Sequence, residues 1–232
     1  ENFRRAKRFA AMFIDEDSEA PNYDPEHNVF RSPIQTSVGP YNNSILQHTT
    51  SWLQGGIPSI GEVYRWYGVR ATLYPVVKDL EPDWTETPAR RDEIMKLFDQ
   101  VVLNGDAAHS LGATALVTNA YLYTGEDKYK QWVLDYTQGW IERIQRNNGI
   151  IPDNVGPTGQ IGENRDGQWW GGIYGWNSFM GYGIIFSSLT IAAECAVLLT
   201  GDFSYLELLR SQIKVLIDNA MTRDDGHLIP PA

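Results

Sequence analysis

The sequence predicts an all-α protein built as a toroid of helical hairpins, and three observations carry that expectation. The run from Ala107 to Tyr123 contains no Asp, Glu, Lys or Arg, and the run from Ser178 to Leu199 contains only Glu194, so both read as helices buried on most sides. Each is followed by an amphipathic run, Asp127 to Gln145 and then Tyr205 to Ala220, whose apolar residues share one face. The pair is written twice: Leu122-Tyr123-Thr124-Gly125-Glu126 returns 76 residues later as Leu198-Leu199-Thr200-Gly201-Asp202, and Tyr129 returns as Tyr205. An apolar inner helix and an amphipathic outer helix, repeated, stack into a ring or solenoid in which each unit covers its neighbour.

Taken in order, the chain opens on Phe3, Ala6, Phe9, Ala10 and Phe13, the one-faced spacing of a helix from Asn2 to Ile14. From Asp15 to Ser59 no period is sustained, and Pro21, Pro25, Pro33, Pro40 and Pro58 make this a long irregular connection. Its acidic start, Asp15 to Glu19, lacks the glycine turn and spaced ligands of a helix-loop-helix calcium site and reads as a solvated turn. Asn42-Asn43-Ser44 is a glycosylation sequon. Val63 to Val77 and Ile94 to Val102 predict a hairpin around a turn at Pro82 to Pro88. After Asn104-Gly105, Asp106 sits where the N-cap of a helix starting at Ala107 belongs. In the helix that follows, Tyr129, Trp132, Val133, Tyr136, Trp140 and Ile144 form the apolar face. Asn148-Gly149-Ile150-Ile151-Pro152 is then echoed by Asp225-Gly226-His227-Leu228-Ile229-Pro230. The opening helix reads as the outer half of a hairpin, and the chain stops at Pro230-Pro231-Ala232, where another inner helix is due. Residues 1–232 are therefore expected to form one toroid domain, an incomplete ring from a longer protein.

Composition narrows the function. A chain of 232 residues with 42% apolar side chains buries a large core. Its formal charge of -10 repels a nucleic-acid backbone and an anionic membrane, so neither is expected as a partner. Basic residues cluster only at Arg4, Arg5, Lys7 and Arg8, which reads as a solvated helix face. The single Cys195 excludes an intrachain disulfide and a cysteine-built metal site. His27 and His48 lack metal-ligand spacing, and neither a metal nor a cofactor is expected. The Ser178 to Leu199 run is long enough to span a bilayer, but Glu194, Ser187, Ser188 and the repeat favour an inner helix.

The stretch from Asn148 to Asn177 holds three tryptophans, a tyrosine and eight glycines between two helical patterns, alongside Asp153, Glu163 and Asp166. A connection several times the usual two to eight residues, with flat rings beside carboxylates, reads as a binding or catalytic loop. The bland alternative is an aromatic plug over the end of the core. Short turns join inner to outer helices and long loops join outer to inner ones, so the active residues belong at the elaborated end. That end carries Asp106 and His109 at one inner helix, and Trp176 and Asn177 at the next. For Asp106 the competing reading is a plain cap, for His109 a satisfied core histidine, and for Glu194 a buried partner of an arginine.

Gly105-Asp106, the Thr124-Gly125-Glu126-Asp127-Lys128-Tyr129 turn and Trp170-Gly171-Gly172-Ile173-Tyr174-Gly175-Trp176 together resemble the six-hairpin, (α/α)6-barrel glycosidases. The resemblance spans Asn104 to Met221 and is closest in flavour to the unsaturated rhamnogalacturonyl and glucuronyl hydrolases. It implies a secreted or periplasmic glycoside hydrolase acting on a polysaccharide or oligosaccharide by carboxyl general acid/base catalysis. It makes Asp106 the general acid/base, Trp170 and Trp176 sugar-stacking walls, and Asn177 a hydroxyl ligand. Gly172 stands where that family has arginine. The remaining candidates come from the residues themselves. Asp153, Asp166 and His109 can complete the chemistry, while Trp169, Tyr174, Glu163 and Arg165 can line the substrate. Aromatic faces bind sugar C–H surfaces, and glycoside cleavage needs a carboxyl whose pKa is raised. Two other readings stay open: a polysaccharide lyase, with His48, His109, Tyr174 or Arg165 as base and neutraliser, and a non-catalytic carbohydrate-binding ring.

Overall fold

The computed structural model describes residues 1–40, 88–171, 174–176, 182–224 and 226–229, and within them the chain is mostly helical. Helix α1 (Asn2–Ala11) is followed by two small antiparallel hairpins, β1 (Tyr23–Asp24) with β2 (Val29–Phe30) and β3 (Gln35–Thr36) with β4 (Gly39–Pro40). Helix α2 (Pro88–Val101), a 3₁₀ turn at Ala108–Gly112, α3 (Ala113–Thr124) and α4 (Asp127–Arg146) come next. The chain continues with α5 (Tyr182–Thr200), a second 3₁₀ turn at Phe203–Leu206 and α6 (Glu207–Asp218). The strands β5 (Met221–Thr222) and β6 (Leu228–Ile229) pair as a last hairpin. The sequon at Asn42 and the helical pattern from Val63 to Val77 lie outside the described residues.

The repeat read from the sequence is a repeat of geometry. In both turns a threonine hydroxyl donates back four residues, Thr124 to the Ala120 carbonyl at 2.8 Å and Thr200 to the Ala196 carbonyl at 2.7 Å. The same oxygens then accept from the Glu126 and Asp202 amides at 3.1 Å. Gly125 (φ 69°) and Gly201 (φ 75°) supply the left-handed residue that ends each helix, each amide bonding the carbonyl four back at 2.7 Å. Helix α3 packs against α1, α4 and α5, and α5 also against α4 and α6. The six residues expected on the apolar face of α4 are all buried. Around Trp132 and Tyr136, which stack at 5.0 Å, Tyr23 and Phe30 close an edge-to-face cluster that ties the first hairpin to α4.

Three expectations need correcting. The segment after α1 is not irregular throughout. It folds into the two hairpins around Asn22, whose buried side chain donates to the carbonyls of Met12 (3.0 Å), Ala20 (3.3 Å) and Thr36 (2.9 Å) and accepts from the Thr36 amide at 3.3 Å. One side chain thus does the work of a sheet, and nothing in hydropathy periodicity reports that. Asn22→Ala strands those carbonyls and is expected to lower stability by about 2–3 kcal/mol in urea unfolding. Second, Asp106 does not cap an α-helix. Asp106 and Val155 form an antiparallel bridge, Ala107 continues in extended geometry (φ -138°, ψ 152°), and the chain needs the 3₁₀ turn before α3 begins at Ala113. Third, the two apolar helices bury one face rather than most sides: Leu122 on α3 is 60% exposed and Leu198 on α5 is 63% exposed. Glu194 is on that open side of α5 and is exposed, not the buried partner of an arginine.

Candidate active site at two buried carboxyls

The loop between α4 and α5 is laid down on a spine running from Ile151 to Val155. Gln212 of α6 fixes its start, accepting from the Ile151 amide at 2.8 Å and donating to the Gly149 carbonyl at 2.9 Å. The bridge from Asp106 to Val155, with a second from Val155 to Ile161, fixes its end. Gly105 (φ 126°) permits that approach, because a β-carbon there would collide with the Val155 carbonyl oxygen. Between these anchors Asp153 turns inward.

Asp153 is 2% exposed, and its carboxylate holds the aromatic segment closed: Oδ2 accepts from the Gly171 amide at 2.7 Å and Oδ1 from the Trp176 amide at 2.8 Å. Asn154 adds a bond from its Nδ2 to the Gly171 carbonyl at 3.0 Å. Gly175 is required by close approach, since a β-carbon would overlap the Asp153 carboxylate. Gly175→Ala is therefore expected to break the clamp and change the tryptophan emission spectrum while leaving helical circular dichroism near the parent. Burial pushes the Asp153 carboxyl up to about 6 against the two amides and the Arg165 charge, which pull it down. Burial likewise draws Arg165, fully enclosed, down to about 10, while Asp153 holds it up.

Asp106 is also buried, and burial raises its carboxyl to about 6 despite the Arg143 charge and several donors. Its Oδ2 accepts from the Phe30 amide (3.1 Å) and the Tyr136 hydroxyl (2.8 Å), and its Oδ1 from the Ala107 amide (2.7 Å). Asp106 and Asp153 line one narrow cleft together with Asn104, Asn154 and Arg165. Its interior volume of about 10 Å³ is close to the least that seats a single water.

His109 and Tyr174 form a separate pair, their rings 4.1 Å apart. Burial lowers the imidazole to about 4, so it is neutral at pH 7, and its Nδ1 is enclosed without a hydrogen-bond partner. Trp176 is half-buried, donates its indole N–H to the Ile151 carbonyl at 2.9 Å and packs edge-on against Tyr182 and Phe186. Trp169 and Trp170 are both half-buried. Glu163 is exposed and spends Oε2 on the Thr158 amide and hydroxyl, and Asp166 is exposed at a left-handed turn position (φ 52°). Asn177 and Gly172 lie outside the described residues.

The sequence reading missed Tyr136 and Arg143, which stand beneath Asp106. Tyr136 reads from the sequence as a core residue and Arg143 carries no reading of its own, yet Arg143 is 2% exposed. An arginine seven residues after Tyr136 and three after Trp140, in register with the apolar stripe, was the available signal.

Residues 1–229 match DUF8034, a domain of unknown function. The chain belongs to the DUF8034 family. No curated protein and no solved structure matches it. What this DUF8034 chain offers chemically is therefore read from the site: two buried carboxyls, each drawn toward neutrality by burial, a guanidinium charge acting on each, Arg143 on Asp106 and Arg165 on Asp153, and a water-sized cleft that both carboxyls line.

Proposed function

We propose that the chain is a carbohydrate-active enzyme, a glycoside hydrolase on a ring of helical hairpins, acting outside the cytoplasm on a polysaccharide or oligosaccharide. The observation that supports this most is the pairing of Asp106 and Asp153 along one cleft, each raised to about 6 by burial. Hydrolysis of a glycosidic bond needs a carboxyl that is protonated near neutrality and a second that steadies charge or directs water. The two differ in spare capacity. A carboxylate offers about four acceptor positions. Asp106 gives at least three to its protein donors, whereas Asp153 gives two and keeps the rest. Asp153 is thus the proton-transferring group and Asp106 the buried support. Trp169, Trp170 and Tyr174, on the segment that Asp153 clamps, are the rings this reading offers to the sugar.

The test is a panel of neutral and uronate-containing oligosaccharides assayed for new reducing ends. Appearance of reducing ends without ultraviolet absorbance supports hydrolysis. The His109–Tyr174 pair, its rings 4.1 Å apart, is the geometry behind a second reading, β-elimination from a uronate, with the imidazole, neutral at pH 7, as proton acceptor. New absorbance from a C4–C5 double bond would establish that reading instead. Sugar binding with neither signal would reduce the chain to a binding ring.

A further inference from the structure

Helix α1 presents a face that the fold does not use. Its Ala6 and Ala10 are buried and the helix packs on α3, while on the flank Lys7 is held by Glu126 at 2.8 Å. On the opposite side Arg4, Arg5 and Arg8 are all exposed, and among the described residues none of the three makes an ion pair or a side-chain hydrogen bond. At 100° per residue they fall within an arc of about 100°, with Arg4 and Arg8 about 6 Å apart along the axis. Phe9, 44% exposed, continues the same strip beyond Arg5. Three unpaired guanidinium groups on one helix face stand out in a chain whose net charge is -10.

We infer that this strip is an accessory binding surface for a carboxylated polysaccharide, an inference that rests on the carbohydrate reading above. Arginine forks match carboxylate oxygens two by two, and an exposed phenyl ring offers a face to sugar C–H groups. Charge density selects the class of polyanion. Duplex DNA carries one charge per about 1.7 Å, and an anionic bilayer is a continuous negative sheet that polybasic clusters of about four to eight cations bind. Either would set much negative charge against an acidic protein that has three cations to offer. A chain with one carboxylate per sugar carries less charge per length than duplex DNA and less than a bilayer surface, so three guanidinium groups match a larger share of it and the acidic remainder of the protein repels it less. The surface holds a long acidic substrate while the cleft acts on one bond of it.

The full chain is run through affinity gels containing polygalacturonate, neutral dextran or no glycan, alongside the triple variant Arg4→Gln, Arg5→Gln, Arg8→Gln. Glutamine keeps helix propensity and removes the charge. Polygalacturonate should retard the parent and dextran should not, and the triple variant should bind about tenfold more weakly, as three exposed charge contacts allow. Phe9→Ala should weaken binding roughly twofold to threefold by losing an exposed ring contact. A triple variant within twofold of the parent overturns the inference, as does equal or tighter binding of duplex DNA or of phosphatidylserine vesicles. Arginine-dependent retardation with no cleavage of any glycan would remove the enzymatic reading and keep the surface. Cleavage with retardation indifferent to the arginines would do the reverse.

Discussion

Asparagine in place of Asp153 is expected to lower turnover on a cleaved glycan by about 10²- to 10⁴-fold, the usual cost of losing a general acid or base. The substitution keeps size and polarity but removes the titrating proton. It also has a structural signature. Asp153 accepts one amide on each oxygen, so an amide side chain must turn its Nδ2 toward either the Gly171 N–H or the Trp176 N–H, donor against donor. One edge of the aromatic segment opens, and tryptophan emission should move with it. The two effects separate by pH. A general acid raised to about 6 is protonated below that value, so kcat/KM of the parent should fall about tenfold per pH unit above it. Loop opening alone lowers activity by a factor that does not vary with pH. Turnover within about threefold of the parent would assign Asp153 to the clamp alone.

What was legible in the sequence was what repeats or alternates. The Thr-Gly turns were visible as a repeat, and the structure supplies their chemistry: a hydroxyl that bonds four residues back and a glycine at positive φ. The apolar face of α4 was legible because six large residues at helical spacing leave little choice. Of the residues singled out from the sequence, Asp106, Asp153 and Arg165 line one cleft. The organisation of that cleft was not legible, because it depends on contacts distant in sequence. Phe30 reaches Asp106 across 76 residues and Gln212 reaches Ile151 across 61, and no local pattern records either. The start of α3 failed for a related reason. An Asp after Gly and before an apolar run is a good cap by propensity, but the bridge to Val155 holds Asp106 and Ala107 extended and delays the helix by several residues. Loop acids were over-read for the opposite reason. Glu163 and Asp166 look like Asp153 in the sequence, and only burial separates them.

Asp106→Leu should cost about 3–5 kcal/mol of stability, because it leaves the Phe30 and Ala107 amides and the Tyr136 hydroxyl without their acceptor and takes the nearby anion from buried Arg143. Asp106→Asn should cost less, and its cost should depend on pH in a defined sense. The folded carboxyl sits at about 6, above the ordinary 3.8, so folding takes up a proton between those values. The stabilisation is complete below about 3.8 and is lost as pH rises through about 6, roughly 2 kcal/mol between pH 4.5 and 7. Asp153 behaves in the same way. His109, drawn down from 6.5 to about 4, works in the opposite direction and returns about 2 kcal/mol over the same interval. These three groups together should cost the parent about 1–2 kcal/mol from pH 4.5 to 7, and Asp99, also raised to about 6 by burial, acts in the same direction. Removing the Asp106 titration should flatten that slope, so the gap between parent and Asp106→Asn is widest near pH 4.5 and narrows toward pH 7. Urea midpoints at four pH values measure it. A gap constant across the range would mean that Arg143 and the three donors keep Asp106 ionised throughout, in which case the Asp106 carboxylate is a fixed charge rather than a proton store.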